Sequence, residues 1–229
     1  MDLFFGSTNP GKLGELRRLV AGLPIRVVTP DDLGRPVPEV LEDGSTFEEN
    51  AAKKASAFAR LTGMHALADD SGLCVDALAG APGVWSARWS DEEPGPEPVS
   101  PVCELPGAGA AELGSVAGRA ARDERNNDKL LRLLAAVPDE RRGAEYRAVL
   151  AVADPTGRIV ATAEGTCRGH IGRERRGTGG FGYDPLFAAD AGGGRTMAEL
   201  PAEEKDAISH RGAAFRALRA ALAALAPPP

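Results

Sequence analysis

The chain has few cysteines and no long apolar run. Its three cysteines, Cys74, Cys103 and Cys167, are widely spaced and form no CxxC pair. That pattern argues against a disulfide framework or a zinc site and favours the reducing cytoplasm. No apolar run approaches the roughly 18 residues that a membrane span requires, and residues 1–20 lack the pattern of a signal peptide. We therefore expect a cytoplasmic location and no membrane association.

An excess of positive charge is also absent. The formal net charge is −6 over 229 residues, which argues against a broad nucleic-acid surface. An anionic small molecule is still compatible with this charge, because a bound metal and a few focused basic residues can reverse the local field. The length and the 43% apolar content suffice for a sizeable core. We predict a single domain over residues 1–226 and a frayed tail at 227–229.

Helical and strand patterns alternate along the chain, which predicts an α/β protein with a mixed sheet. Residue spacing, caps and turn residues define the elements. They are a strand at 3–5, a helix at 12–22, a strand at 25–28, a helix from the Thr46 N-cap to about Leu61, a strand leading to Asp69-Asp70, a helix from Asn127 to about Ala136, a hairpin over 146–164 and a final helix starting near Lys205.

Residues 91–122 interrupt this alternation. They hold several prolines among Gly, Ala and acidic residues, with few bulky apolar side chains. Such a segment cannot bury enough surface to offset the entropy of ordering it. We predict a flexible insertion within the domain rather than a second domain.

The first motif joins the first strand to the first helix. Gly6, Ser7, Thr8, Asn9, Pro10, Gly11 and Lys12 fit the GxxxxGK spacing of a phosphate loop. Exposed backbone N–H groups and the helix dipole favour anions at such a turn, so we predict a polyphosphate site. Leu13 stands where a conventional P-loop has a Mg²⁺-binding hydroxyl. The alternative is a plain strand-to-helix turn.

Acidic side chains near that loop predict a divalent cation. Glu42, Asp69 and Asp70 offer hard oxygen ligands, and Mg²⁺ takes one or two carboxylates together with water and phosphate oxygens. The alternative for Asp69-Asp70-Ser71-Gly72 is a turn whose side chains bond their own backbone. Lys53 and Lys54 follow on the second helix, where a phosphate contact and a solvated helix face are equally compatible with the sequence.

A second Gly-rich segment, residues 177–182, matches GxGxxG but does not indicate a dinucleotide site. Pro185 follows closely, so no helix opens after the glycines. Phe181 and Tyr183 suit stacking on a base, and the alternative is a tight loop packing its own Phe. Lys205, His210 and Arg211 are hydrogen-bond donors grouped at the last helix, where surface residues would be the alternative.

Taken together, these segments resemble the inosine triphosphate pyrophosphatase family, and the resemblance covers nearly the whole chain outside 91–122. That family hydrolyses ITP, dITP and XTP to the monophosphate and pyrophosphate. The matching segments are Ser7 to Lys12, Thr46-Phe47-Glu48-Glu49-Asn50-Ala51, Ala68-Asp69-Asp70-Ser71-Gly72-Leu73, Gly179-Gly180-Phe181-Gly182-Tyr183-Asp184-Pro185 and Ser209-His210-Arg211-Gly212 after Glu204-Lys205.

The resemblance implies an elongated mixed β-sheet with two α/β lobes, a substrate cleft between them and a homodimer. It also assigns roles by position. Ser7, Thr8, Asn9, Pro10, Gly11, Lys12 and Lys54 would hold the triphosphate; Glu42 and Asp70 would bind Mg²⁺, with Asp70 the proton acceptor; Ser71 would touch substrate; Phe181, Gly182, Tyr183, Asp184, Lys205, His210 and Arg211 would enclose the purine base and sugar.

Three rival functions remain open at this point. A P-loop-like NTPase or kinase would release or transfer the γ-phosphate, and Leu13 counts against it. A Maf-like nucleotide pyrophosphatase shares the fold but prefers modified pyrimidines, and the Ser-His-Arg segment favours purines. A nucleotide-sensing module would bind without turnover, which requires Asp70 to be structural.

Overall fold

One mixed sheet forms the centre of the molecule. The computed structural model describes residues 1–91 and 116–226. The sheet has the strand order β2-β1-β3-β4-β5-β6, with β1 parallel to β2 and β3 and the other neighbours antiparallel. The strands are β1 (Asp2–Phe5), β2 (Arg26–Val28), β3 (His65–Val75), β4 (Gly143–Ala153), β5 (Ile159–Ile171) and β6 (Phe187–Ala189).

Five α-helices accompany the sheet in the described ranges, and their ends carry identifiable caps. Asn9 and Thr46 cap the first two helices with side-chain oxygens, and Gly63 ends the second in the left-handed region (φ 69°), which glycine adopts at little cost. The helices are α1 (Pro10–Leu19), α2 (Phe47–Thr62), α3 (Val116–Leu133), α4 (Ala202–Ile208) and α5 (His210–Leu225).

The alternation of side chains along the strands divides the core. Phe4 packs on one face with Phe58 of α2, whereas Phe5 packs on the other with Leu16 of α1 and Phe215 of α5. A separate cluster at the far ends of β3, β4 and β5 includes Leu73, Leu130, Tyr146 and Phe187. Long strands shared by separate clusters give the two-lobed α/β architecture that the sequence predicts.

Two sequence predictions need correction. The helix expected from Asn127 begins at Val116, so residues 116–122 of the predicted insertion are helical. The final helix is two helices, because Ser209 ends α4 with extended backbone and caps α5 through its hydroxyl. Residues 92–115 and 227–229, and with them Cys103, lie outside the described residues.

None of the helices in residues 1–91 and 116–226 has the length and apolar character needed to cross a membrane.

Candidate active site

The predicted phosphate loop lies between β1 and α1. The Asn9 side-chain oxygen accepts hydrogen bonds from the N–H groups of Gly11 (2.9 Å) and Lys12 (3.3 Å). The Asn9 N–H in turn donates to Ser7 Oγ at 3.2 Å, and Pro10 occupies the first helical turn. The N–H groups of Gly11 and Lys12 therefore converge on the Asn9 side chain, which caps the start of α1.

Asp69 lies in a buried cluster of charged side chains, between Lys12 and Arg211. Its carboxylate is 3.0 Å from Lys12 Nζ on α1 and accepts two hydrogen bonds from Arg211 on α5, at 3.0 and 3.1 Å. Burial would raise the pKa of Asp69, but Lys12 and Arg211 outweigh it and hold the pKa well below its usual range. Arg211 also donates to Ser71 Oγ at 3.0 Å. Asp69 is thus a fixed anion at this site.

Glu15 completes this cluster, and sequence reasoning missed it. It is only 4% exposed, pairs with Arg211, and lies 2.9 Å from Lys205 Nζ. Burial opposes ionisation, yet Arg211 and Lys205 lower its pKa to about 2. Lys205 also donates to Asp184 at 2.7 Å. Its position in the sequence could have indicated this role, because Glu15 follows Lys12 by one helical turn and lies beside the apolar stripe of α1.

Asp70 faces a different set of partners. Lys54 on α2 donates to Asp70 Oδ1 (3.0 Å) and to Glu42 Oε1 (2.6 Å), while Asn50 donates to Asp70 Oδ2 (3.2 Å). Burial raises the pKa of Asp70; Lys54 opposes that shift and Glu42 adds to it. Arg88 donates to the Glu42 backbone carbonyl at 2.9 Å. Two carboxylates here share one buried ammonium group.

This pair of carboxylates fits a divalent cation by its donor chemistry. Glu42 and Asp70 converge on the point that the Lys54 ammonium group approaches, so both oxygens already face a cation. Within residues 1–91 and 116–226, no group of three or more His, Cys, Asp or Glu is arranged to hold a metal. Two carboxylates are nevertheless the usual protein share for Mg²⁺, which takes its other ligands from water and phosphate.

The glycine-rich loop brings an aromatic ring to the phosphate loop. The ring of Phe181 packs so closely on Gly11 that any side chain there would collide with it. Lys205 Nζ lies 4.7 Å from the ring centroid, and the Phe181 N–H donates to Asp184 at 2.8 Å. Tyr183 is placed differently: it is buried in the core, and its hydroxyl donates to the Ser86 carbonyl at 3.0 Å.

His210 is buried at the start of α5. Its ring stacks on Tyr146 with centroids 4.6 Å apart and planes at 8°. Nδ1 is buried without a hydrogen-bond partner among the described residues. Burial lowers the pKa of His210 well below its ordinary value, and Arg211 adds to the shift. Gly165 on β5 permits this placement, since a Cβ there would collide with the His210 carbonyl.

The structure thus gathers most of the predicted residues around β3, α1, α2 and the start of α5. Lys53 is separate: it is exposed and pairs with Asp43. Other residues in contact with the site were not singled out from the sequence. They are Glu15, Asn50 and Arg88, and on α3 Arg119, Asp123 and Asn127.

A phosphate loop, a pair of acids and an aromatic loop on a mixed sheet define a nucleotide-binding α/β protein. The Ham1 family model matches residues 3–99 and 98–221, and the chain belongs to the Ham1 family.

Curated relatives and solved structures agree with this assignment. The chain is 75% identical to a dITP/XTP pyrophosphatase of Anaeromyxobacter sp. (strain Fw109-5), over 99% of this chain and 98% of the relative. It is 46% identical to a dITP/XTP pyrophosphatase of Geobacter sulfurreducens, over 95% and 94%. A HAM1 protein structure from Coxiella burnetii has a TM-score of 0.74 at 36% identity, covering 97% of this chain and 98% of that one.

Proposed function

We propose that this protein is a nucleoside triphosphate pyrophosphatase that hydrolyses dITP, ITP and XTP to the monophosphate and pyrophosphate. The observation that carries the proposal is the Glu42–Lys54–Asp70 cluster beside the phosphate loop. Relatives that match nearly the whole chain are named dITP/XTP pyrophosphatases. Hydrolysis of damaged purine nucleotides follows as the function for the whole chain.

The phosphate end of the substrate would bind at the start of α1. Ser7 and Thr8 offer hydroxyl groups there, and Lys12 and Lys54 add two ammonium groups. Both lysines are already paired with carboxylates, so the site is close to neutral before a substrate arrives. A triphosphate carries several negative charges, and a Mg²⁺ held by Glu42 and Asp70 would balance part of them.

Asp70 is the residue we assign to proton transfer. Its raised pKa makes it a better base than an ordinary aspartate, and Lys54 and Asn50 fix both of its oxygens. Asp70 accepts one proton of the attacking water, the water oxygen bonds to phosphorus, and the α–β anhydride breaks to leave pyrophosphate. Glu42 and Asp70 would hold a Mg²⁺ ion, which would neutralise the charge that develops on the phosphate oxygens.

Base selection would come from donors around Phe181. Hypoxanthine and xanthine carry a 6-oxo group where adenine carries an amine. Lys205 and Arg211 lie over the Phe181 ring, at 4.7 and 5.6 Å from its centroid, and are donors only. The carboxylates of Glu15, Asp69 and Asp184 accept most of the N–H groups of these two side chains. Adenine would oppose its own N–H groups to those that remain and leave them unpaired, at about 1–3 kcal/mol each.

One assay tests this function against its rivals. Purified protein is given dITP, XTP, ATP and a modified pyrimidine triphosphate, with pyrophosphate and orthophosphate measured separately. Pyrophosphate from dITP and XTP that disappears with EDTA and returns with Mg²⁺ supports the proposal. Orthophosphate release would indicate a P-loop-like NTPase, pyrimidine preference a Maf-like enzyme, and binding without product a sensing module.

We further propose a cytoplasmic homodimer built from one domain per chain. The resemblance supports the dimer, and the free thiols of Cys74 and Cys167 agree with a reducing compartment. Light scattering of the purified protein tests the dimer by its mass, with twice the 23.8 kDa of the chain expected.

A further inference from the structure

Helix α3 contacts both loops that flank the proposed substrate. Arg119 donates from Nη2 to the Thr8 carbonyl at 3.1 Å and from Nη1 to Thr8 Oγ1 at 3.3 Å. Asp123 accepts from the Gly182 N–H at 2.8 Å, and Asn127 donates to the Gly182 carbonyl at 3.0 Å. One helix thus bonds the phosphate loop through one residue and the aromatic loop through two.

The spacing of these residues explains how one helix reaches both loops. Arg119, Asp123 and Asn127 recur every four residues, so they form one stripe along α3. The stripe continues into Leu130, which is fully buried in the core. Because Leu130 anchors the helix, the polar half of the same face is held in a fixed position beside the site.

The two loops also touch directly, where the Phe181 ring packs on Gly11. The contact between the Phe181 ring and Gly11 excludes water. It does not fix the orientation of one loop relative to the other, because burial of apolar surface is non-directional. The hydrogen bonds from α3 fix this relative orientation. They hold Gly182, the residue after the aromatic ring, and Thr8, two residues before the first turn of α1, on one rigid element.

We propose that Arg119, Asp123 and Asn127 are positioning residues that align the phosphate loop with the base-binding loop. The proposal rests on the proposed function, in which the two loops bind opposite ends of one nucleotide. Alignment matters for the intact substrate, because both ends must fit at once. It matters little for a fragment that uses one loop.

The test compares the intact nucleotide with its two fragments. We measure kcat/KM for dITP and the inhibition constants of tripolyphosphate and deoxyinosine in wild type and Arg119→Ala. We expect kcat/KM to fall about tenfold, while each fragment inhibits within about twofold of its wild-type constant. Arg125→Ala is the matched control, since Arg125 is an exposed arginine of the same helix that pairs with Asp91. It should leave all three values unchanged.

A second position separates alignment from general stability. Asp123→Asn keeps an oxygen that can accept from the Gly182 N–H, so it should retain most of the activity, whereas Asp123→Ala should lose about as much kcat/KM as Arg119→Ala. The double variant Arg119→Ala/Asp123→Ala should lose less than the product of the two single losses, because either change alone already frees one loop.

Several results would overturn the inference. Wild-type kcat/KM in Arg119→Ala would exclude the alignment role. If the affinity for tripolyphosphate fell by the same factor as kcat/KM for dITP, Arg119 would be a direct phosphate ligand instead. An equal loss for every ligand together with a lower melting temperature would make the stripe structural. Wild-type protein that releases no pyrophosphate from dITP would instead contradict the proposed function.

Discussion

Asp69 and Asp70 are neighbours on β3, yet they lie in opposite electrostatic environments. Asp69 meets Lys12 and Arg211, and these two cations hold its pKa well below the usual range. Asp70 and Glu42 share Lys54, and the pKa of Asp70 is raised by burial and by Glu42. Alternate side chains of a strand face opposite sides, which is how adjacent residues acquire different roles.

These two environments indicate which of the two aspartates is available for proton transfer. Asp69 accepts hydrogen bonds from Lys12 on α1 and Arg211 on α5. Its negative charge therefore stabilises the packing of α1 and α5 against the sheet. Asp70 lies beside a second carboxylate, Glu42, where a further cation and a proton can both be accepted.

The largest expected effect is on turnover. Asp70→Asn removes the proposed base but keeps the oxygen that accepts from Asn50, so pyrophosphate release should fall by about 10²–10⁴-fold. The melting temperature should change little. Hydrolysis of dITP and thermal unfolding are measured side by side, and a variant with near wild-type turnover would remove Asp70 from the catalytic role.

The matching change one residue earlier should act on stability. Asp69→Asn leaves Arg211 and Lys12 without a full counter-charge in a buried place, and breaking a buried ion pair costs about 3 kcal/mol or more. Urea unfolding of both variants gives the free energies of unfolding. Equal values for Asp69→Asn and Asp70→Asn would contradict the division of roles.

Removing the shared cation should shift the pH dependence of turnover. Lys54 lowers the pKa of Asp70, so Lys54→Gln should raise that pKa further. A base must be deprotonated, so the acidic limb of the kcat/KM profile should move to higher pH. Lys53→Gln is the control, because Lys53 pairs with Asp43 at the surface. A limb that stays in place in Lys54→Gln would exclude Asp70 as the titrating group.

The smallest expected effect concerns His210, which precedes Arg211 at the start of α5. Its folded-state pKa lies well below the ordinary value of 6.5, so below pH 6.5 the unfolded chain takes up a proton that the folded protein does not. As the pH is lowered below 6.5, this group should decrease the free energy of unfolding by up to about 1.4 kcal/mol for each pH unit. His210→Phe, which keeps a ring against Tyr146, should lose this slope, whereas His170→Gln on the exposed side of β5 should keep it.

Local patterns predicted much of the fold because they act over short distances. Thr46 caps α2 as expected, with its hydroxyl accepting from the Glu49 N–H, and Gly63 ends that helix. The strand through Asp69-Asp70 and the hairpin after Tyr146 are also present, although both extend further than predicted. The segment before Asn127 was misjudged because its proline-rich start hid the helix that begins at Val116.

The motifs could be predicted from the sequence because the residues of each are adjacent: a glycine turn beside Lys12, paired aspartates, and a Ser-His-Arg segment. Their partners depend on the tertiary structure. Glu15 meets Lys205 and Arg211 across nearly two hundred residues, with 196 separating it from Arg211, and α3 reaches Thr8 from Arg119. Such pairings depend on how helices pack against one sheet, and no local spacing encodes that packing.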